Sequence, residues 1–266
     1  MHQKVKELLL GENPCSIGKI GSIELIHFAS AFLDKKPVFC GNSLAINAGI
    51  NIKNLEEYEI WLNHFKFGIQ NLDVVLAWNK TEQETKILDS LCPLSARTEE
   101  FPDIEPFSHG EDGWHFNLKD KKVLVVSSFK NSIEKQLPKY SKIWDGAEIG
   151  DCEIIESPQP FQITGNDPIF YEESIFELER KIMSKDFDIC IVGAGGFSLP
   201  LCGIAKGIGK RAIHLGGATQ VLFGIRGSRF DRNFADQPWY GTENFITPLE
   251  SDIPKFHYMV EQGCYW

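Results

Sequence analysis

Short apolar runs alternate with helical patterns along this chain, and the order predicts a parallel sheet covered by helices. The clearest runs are residues 188–192, DICIV, and residues 212–215, AIHL, which lack the alternation of a half-exposed strand. Between them, apolar side chains recur at helical spacing, at Leu201, Ile204, Ala205 and Ile208. We therefore predict that these two strands are parallel neighbours joined by a helix.

The same order of elements extends through the rest of the chain. We predict further strands ending at Ile20 and at 37–42, 72–78, 123–126 and 153–156, and helices at 54–70, 81–91, 132–137, 170–185 and 218–225. Another helix begins with Ser22 as its N-cap and ends near Leu33, and Thr81 with Glu84 forms a capping box. The predicted fold is α/β, a Rossmann-like parallel sheet flanked by helices.

This fold accounts for the whole length as one domain, residues 1–266. The pattern dissolves between residues 92 and 120, which we interpret as a long loop between two halves. The tail, 233–266, is rich in aromatic residues and is predicted to fold back on the body.

Composition narrows the classes of function. The 266 residues are 42% hydrophobic and carry a formal net charge of −10, with a pI near 5.2. That balance argues against a nucleic-acid partner, which needs a basic face. No apolar run is long enough for a membrane span, and the seven cysteines lack the spacing of a zinc site or a disulfide framework. The expected compartment is cytoplasmic.

The first candidate site is the glycine-rich turn after residue 192. Gly193, Gly195, Gly196 and Ser198 combine a tight turn with a helix N-terminus, a geometry that favours phosphate or diphosphate. The alternative is a turn that packs the helix on the strand and binds nothing. A nicotinamide cofactor is disfavoured, because Ser198 replaces a third glycine and no acidic residue ends the next strand.

Two further stretches are candidate anion sites. Ser128 and Lys130 follow a buried strand and precede a helix, which makes a second possible phosphate cradle. Arg226, Arg229 and Arg232 cluster within seven residues and offer planar donors to a phosphate. The alternative for these arginines is a solvated loop paired with nearby acids.

Glu24 and Lys19 flank the turn that follows the first strand. Glu24 falls in the first turn of the next helix, at the carboxyl end of a strand, where α/β proteins gather ligand groups. The alternative for Glu24 is a carboxylate that stabilises the helix N-terminus by under about 1 kcal/mol. For Lys19 it is a solvated side chain at the strand end.

Several of these stretches together resemble the glycosyltransferases of the GT-D fold and their relatives in bacterial polysaccharide loci. The opening motif of that family is Arg-x-Gly-Asp-Gly-Glu, and here the run is Lys19-Ile-Gly21-Ser22-Ile-Glu24. The stretches 47–49, 128–136 and 216–229 also resemble such relatives. Lysine thus replaces the family arginine, and Ser22 replaces its aspartate.

This resemblance implies transfer of a sugar from a nucleotide-sugar donor to a polysaccharide or glycolipid-precursor acceptor. It implies that Lys19, Gly21 and Ser22 contact the nucleotide or phosphate. It also implies that Glu24 is catalytic or holds Mn²⁺ or Mg²⁺, although Ser22 in place of the aspartate weakens the case for a metal. One alternative is a non-catalytic nucleotide or sugar-phosphate binding protein that has lost its metal carboxylate. A weaker one is a methyltransferase that uses the 193–196 turn.

Overall fold

A parallel β-sheet forms the centre of the molecule in the computed structural model, which describes residues 1–37, 42–93, 96–158 and 169–266. Across these ranges seven strands pair in the order β3-β2-β1-β7-β6-β4-β5, and every pair is parallel. The strands are β1 (Cys15–Lys19), β2 (Val74–Leu76), β3 (Arg97–Thr98), β4 (Val123–Ser127), β5 (Cys152–Glu156), β6 (Ile189–Gly193) and β7 (Arg211–His214). The predicted Rossmann-like α/β fold is confirmed.

Helices cover both faces of the sheet. In chain order they are α1 (His2–Leu10), α2 (Ser22–Phe32), α3 (Asn42–Ala48), α4 (Leu55–Gln70), α5 (Glu82–Leu91), α6 (Lys130–Gln136), α7 (Tyr140–Ile143), α8 (Tyr171–Met183), α9 (Ser198–Gly207), α10 (Ala218–Leu222) and α11 (Ser228–Asn233). Buried residues of α2–α5, α8 and α9 join one hydrophobic cluster, and those of α1, α6, α7, α10 and α11 join the other.

The central strands β4 and β6 are apolar along most of their length because each of their faces packs against one of these clusters, whereas the edge strands β3 and β5 carry charged residues. In β4, Leu124 and Val126 face the first cluster, which contains α4 and α9, while Val123 and Val125 face the second cluster on the opposite side. Successive side chains of a strand point to opposite faces, so a sheet covered on both sides needs a continuous apolar run. The unbroken apolar runs in the sequence therefore reflect strands that are buried on both faces.

The βαβ unit forms as predicted, with Cys190 opposite Ala212 in the parallel register of β6 and β7. The predicted cap at Thr81 is confirmed, because Thr81 Oγ1 accepts from the Glu84 N–H at 3.1 Å. The reciprocal bond differs from a capping box, because Glu84 Oε2 accepts at 2.9 Å from the N–H of Lys80, one residue before the cap. The cap of α2 differs, since Gly21 holds the N-cap position and Ser22 is the first helical residue. A serine hydroxyl at the first helical position is free to bond elsewhere.

Three other segments differ from the predicted pattern. The described residues of the 92–120 stretch include strand β3 at the sheet edge and short 3₁₀ helices at 101–103, 106–112 and 114–117. The helix predicted at 132–137 begins two residues earlier, as α6 (Lys130–Gln136), and a 3₁₀ turn at 137–139 then leads into α7. Of the strand predicted at 37–42, residues 38–41 lie outside the described ranges, and α3 begins at position 42.

The chain leaves the neighbouring strands β1 and β7 towards opposite faces. After β1 it enters α2, which packs on the same face as α4 and α9. After β7 it enters α10, which packs on the other face. Such a divergence opens a crevice at the carboxyl ends of the strands, where open α/β sheets bind ligands. The topology thus places Lys19, at the end of β1, beside the loop that follows β7.

The six described cysteines are free thiols, and the described helices include none that is both long and apolar enough to cross a bilayer. Burial raises the pKa of the Cys15, Cys152 and Cys190 thiols to about 12. These thiols therefore stay protonated at neutral pH and pack as small apolar groups.

Gly68 is the close-packing point between α4 and α9. A methyl group there would lie 2.7 Å from the Leu199 carbonyl carbon and 3.0 Å from Pro200 N, both backbone atoms. We expect Gly68→Ala to lower the free energy of unfolding by about 1–3 kcal/mol, because the two helices must separate.

The matched control is Gly207→Ala at the end of α9, where an added methyl group meets nothing within 4 Å. We expect this variant to be neutral or to gain up to about 1 kcal/mol from helix propensity. Urea unfolding of both variants measures the difference. Equal stability of the two alanine variants would contradict the close packing of α4 on α9.

Candidate active site

A cleft of about 650 Å³ lies along the carboxyl ends of the strands, at the crevice between β1 and β7. Its volume is typical of small-molecule sites. Residues from the ends of β1, β4, β6 and β7 meet there with the 47–49 loop and the C-terminal segment. The wall carries seven aromatic side chains: Trp78, Phe101, Phe129, Phe230, Phe234, Tyr265 and Trp266.

Most of the residues predicted from the sequence line this cleft. They are Lys19, Gly21, Ser22, Glu24, Ser128, Gly193, Gly195 and Arg229. Five predicted residues do not line it: Lys130, Gly196, Ser198, Arg226 and Arg232. Stretches more than 200 residues apart in the sequence thus meet at one edge of the sheet.

Glu24 is the most perturbed acid of the cleft. It is the third residue of α2, and its carboxylate lies against Gly21, where any side chain would collide with it. Only 8% of Glu24 is exposed, and burial raises its pKa to about 7, against the small opposite effect of its own backbone N–H. In the described part of the chain, no basic side chain forms an ion pair with it. At neutral pH this carboxyl group is therefore poised between its two protonation states.

Lys19 and Ser22 have partners within the protein. The Lys19 ammonium lies 3.3 Å from Glu105 Oε1 and 5.2 Å from the centre of the Phe101 ring. The Ser22 hydroxyl donates to Asn79 Oδ1 at 2.7 Å, which ties the start of α2 to the end of β2. Lys19 remains a cation at the cleft wall, whereas the Ser22 hydroxyl is already bonded to the protein.

Internal contacts account for each glycine of the 193–196 turn. A side chain on Gly193 would lie 2.5 Å from Thr219 Oγ1, and one on Gly196 would lie 2.6 Å from Ile50. Gly195 has φ +54°, and a methyl group there would be 2.5 Å from the Ala48 carbonyl oxygen. The Ser198 hydroxyl accepts from the Ala194 N–H at 2.9 Å and is fully buried. Packing alone requires this glycine pattern, and a bound anion is not needed to explain it.

The predicted cradle after β4 already contains a carboxylate. Asp252 accepts from the Ser132 N–H at 2.6 Å and from the Asn131 side chain at 2.7 Å, at the N-terminus of α6. Lys130 pairs with Glu134 one helical turn away, at 2.7 Å, so its charge serves the helix surface. Asp252, which sequence reasoning missed, occupies the position where we expected a phosphate.

The arginine cluster separates into two environments. Arg229 lines the cleft, donates to Tyr265 Oη at 2.9 Å, stacks on that ring and pairs with Glu261. Arg226 points away and pairs with Asp231 at 3.1 Å, and Arg232 is exposed. Arg229 is therefore the member of the cluster that can reach a ligand in the cleft.

Sequence reasoning missed several polar residues of the wall. His214, at the end of β7, is buried, and burial together with the nearby Lys19 charge lowers its pKa to about 3, so it stays neutral. Ser157, Thr219 and Gln220 are also buried lining residues. Thr219 and Gln220 lie within the stretch 216–229 that resembles the family, but the sequence alone did not single them out, because their unpartnered atoms are defined only by the folded neighbours.

The donor set does not fit a divalent metal held by the protein. Among the described residues, no three histidine, cysteine, aspartate or glutamate side chains are grouped to hold a metal ion. Mg²⁺ and Mn²⁺ prefer several oxygen ligands, and Glu24 stands without a second carboxylate at position 22. We derive no step of the chemistry through a metal.

Comparisons with protein-family models, with curated proteins and with solved structures give no significant match to this chain.

The raised pKa of Glu24 predicts a pH-dependent stability. The folded state binds this proton more tightly than the unfolded chain, so its contribution is complete below pH 4.5 and is lost as pH rises through 7. The Glu24→Gln variant has no carboxyl group to ionise at this position. We therefore expect its free energy of unfolding, relative to that of the wild type, to increase between pH 5 and pH 8. The gain is at most about 3 kcal/mol.

Urea unfolding at several pH values measures this difference. The control is Glu99→Gln, because 69% of the Glu99 side chain is exposed and its difference from wild type should vary little with pH. If the difference in unfolding free energy between Glu24→Gln and the wild type is constant from pH 5 to pH 8, the pKa of Glu24 is not raised by folding.

Proposed function

We propose that this protein is a glycosyltransferase that moves a sugar from a nucleotide-sugar donor to a saccharide acceptor. The observation that carries the proposal is Glu24, a buried carboxyl group with a pKa of about 7 in the wall of a large cleft at the diverging strands. A general base is most effective when its pKa lies near the working pH. In this proposal Glu24 takes the proton of the acceptor hydroxyl as that oxygen attacks the sugar.

The cleft also suits the size and chemistry of a nucleotide sugar. Its volume accommodates a ligand larger than a monosaccharide, and its aromatic rings offer flat surfaces for a base. The departing nucleoside diphosphate gains negative charge, and preorganised cations stabilise such charge. Lys19 and Arg229 are the two described basic side chains of the wall, and each can exchange a carboxylate partner for a phosphate.

The second candidate function is a nucleotide or sugar-phosphate binding protein without catalysis. Ser22 at the position of the family aspartate, and a donor set that does not fit a metal, favour this alternative. The two proposals share the cleft and differ in whether Glu24 acts on a hydroxyl group. Thermal shift with a panel of nucleotide sugars, with and without manganese, identifies the donor for both.

The catalytic proposal predicts a large effect of Glu24→Gln. The amide keeps the shape of the side chain but cannot accept a proton, so transfer should fall by about 10²–10⁴-fold while donor binding changes little. The matched control is Glu105→Gln, which removes a cleft carboxylate that pairs with Lys19 and is assigned no proton transfer. Sugar transfer by both variants, with the donor found above, is the measurement.

Full transfer by a folded Glu24→Gln protein would exclude Glu24 as the base. Donor binding by a wild type that transfers to none of a panel of acceptors would favour the binding-protein alternative.

The arginines provide a prediction about the diphosphate. Arg229→Ala should weaken the binding of UDP or GDP about tenfold or more, because a charge-assisted hydrogen bond contributes about 1.5–3 kcal/mol. Arg226→Ala, three residues away and outside the cleft, should leave that affinity unchanged. Calorimetric titration measures both dissociation constants, and circular dichroism checks that each variant is folded. Equal dissociation constants for the two variants would show that Arg229 does not contact the diphosphate.

A further inference from the structure

Four buried polar side chains of the cleft wall have atoms without a hydrogen-bond partner. One is His214 Nδ1 at the end of β7, and the others are Thr219 Oγ1 and Gln220 Oε1 on α10 and Ser157 Oγ just after β5. Thr219, Gln220 and Ser157 are each only 1–2% exposed. A buried polar group without a partner costs about 1–3 kcal/mol, and such groups are rare in folded proteins. Unpartnered buried atoms also occur elsewhere among the described residues, as at Ser16 and Gln136, but these belong to the wall of a cleft, where a bound ligand can supply the missing bonds.

The Gln220 amide shows which kind of bond is missing. Its Nε2 donates to the Arg226 carbonyl at 2.9 Å and to the Tyr265 carbonyl at 3.1 Å, so both amide protons are used. This arrangement sets the orientation of the amide and leaves Oε1 as an acceptor. An ionised phosphate has no proton to give it. A hydroxyl group does, and Gln220 therefore selects a ligand that donates.

Thr219 and Ser157 extend this surface along the strand ends. The Thr219 hydroxyl lies against Gly193 at the end of β6, and the Ser157 N–H donates to the Ser127 carbonyl at the end of β4 at 3.2 Å. Ser127 and Gly193 are register partners, so the two hydroxyls flank neighbouring strands. Rotation about one bond, χ1, redirects either hydroxyl, and each both donates and accepts.

The three side chains of this surface carry no formal charge. Ser157, Thr219 and Gln220 are neutral residue types, and the two cations of the same cleft, Lys19 and Arg229, come from other elements, β1 and α11. Donors and acceptors without charge match a group with several hydroxyls, in which each oxygen donates one bond and accepts others.

We propose that Thr219, Gln220 and Ser157 form a subsite that binds the hydroxyl groups of a sugar, while Lys19 and Arg229 take the charged part of the ligand. This assignment rests on the proposed function in that it places the sugar of a nucleotide-sugar donor. The prediction that a polyhydroxyl group binds there stands apart from whether transfer occurs.

The test uses variants that lose no bond within the protein. Thr219→Val and Ser157→Ala each delete a hydroxyl that has no partner, so their unfolding midpoints should be unchanged or higher. Ser16→Ala is the matched control, because Ser16 Oγ is also buried and without a partner but does not line the cleft. Thr219→Ser keeps the hydroxyl and should bind as the wild type does.

The probes are UDP-glucose, UDP-galactose and GDP-mannose, with UDP and GDP alone, and the methyl glycosides of the three hexoses. Thr219→Val and Ser157→Ala should each bind a sugar nucleotide about three- to tenfold more weakly than wild type, with unchanged affinity for the free nucleoside diphosphate. Ser16→Ala should change neither affinity. Calorimetric titration gives both constants.

The outcomes separate the subsite from the proposed function. Methyl glycosides that bind the wild type and lose affinity in Thr219→Val support the subsite even if no sugar nucleotide binds, which would overturn the transferase. Equal weakening of UDP and UDP-sugar in Thr219→Val would make the wall a phosphate site and overturn the subsite. The subsite would also be overturned if Thr219→Val and Ser157→Ala bind sugar as tightly as the wild type does. The same holds if the wild type binds neither a sugar nucleotide nor a methyl glycoside.

Discussion

The requirement that both faces of the parallel sheet be buried determines where this protein can place chemistry. The interiors of the central strands β4 and β6 are apolar, because helices pack on them from both sides. Charged and hydrogen-bonding groups that serve a ligand are therefore confined to the strand ends and the loops that follow them. The opposite exits of the chain from β1 and β7 then decide which part of that edge opens into a cleft.

The same constraint explains why the fold could be predicted from the sequence. A strand buried on both faces appears as an unbroken apolar run, as at 188–192, and a crossover helix appears as apolar residues at helical spacing. Element order then implies a parallel sheet. The edge strand β3 was missed, because two residues in a polar stretch have no such pattern.

The candidate site was predictable only in part, for physical reasons that particular residues illustrate. Glu24 and Arg229 line the cleft as expected, because position at a strand end or after the last strand is visible in the sequence. The glycines at 193–196 were ambiguous, since a turn that touches Ala48 needs the same missing side chains as one that touches a phosphate. Thr219 and Gln220 fall in the family-like stretch 216–229, yet nothing in the sequence singles them out, because an unpartnered atom is defined only once all its neighbours are in place.

The contact between Asp252 and the start of α6 has a consequence for the order in which the molecule assembles. The carboxylate and the Ser132 N–H that it caps are separated by 120 residues, so this corner of the cleft closes a very long loop of chain. Contacts of such separation form late, because loop-closure entropy is lost before they contribute stability. We expect a nascent chain that has not yet reached residue 252 to lack this cap of α6, so the corresponding corner of the cleft would be finished only after Asp252 has been synthesised.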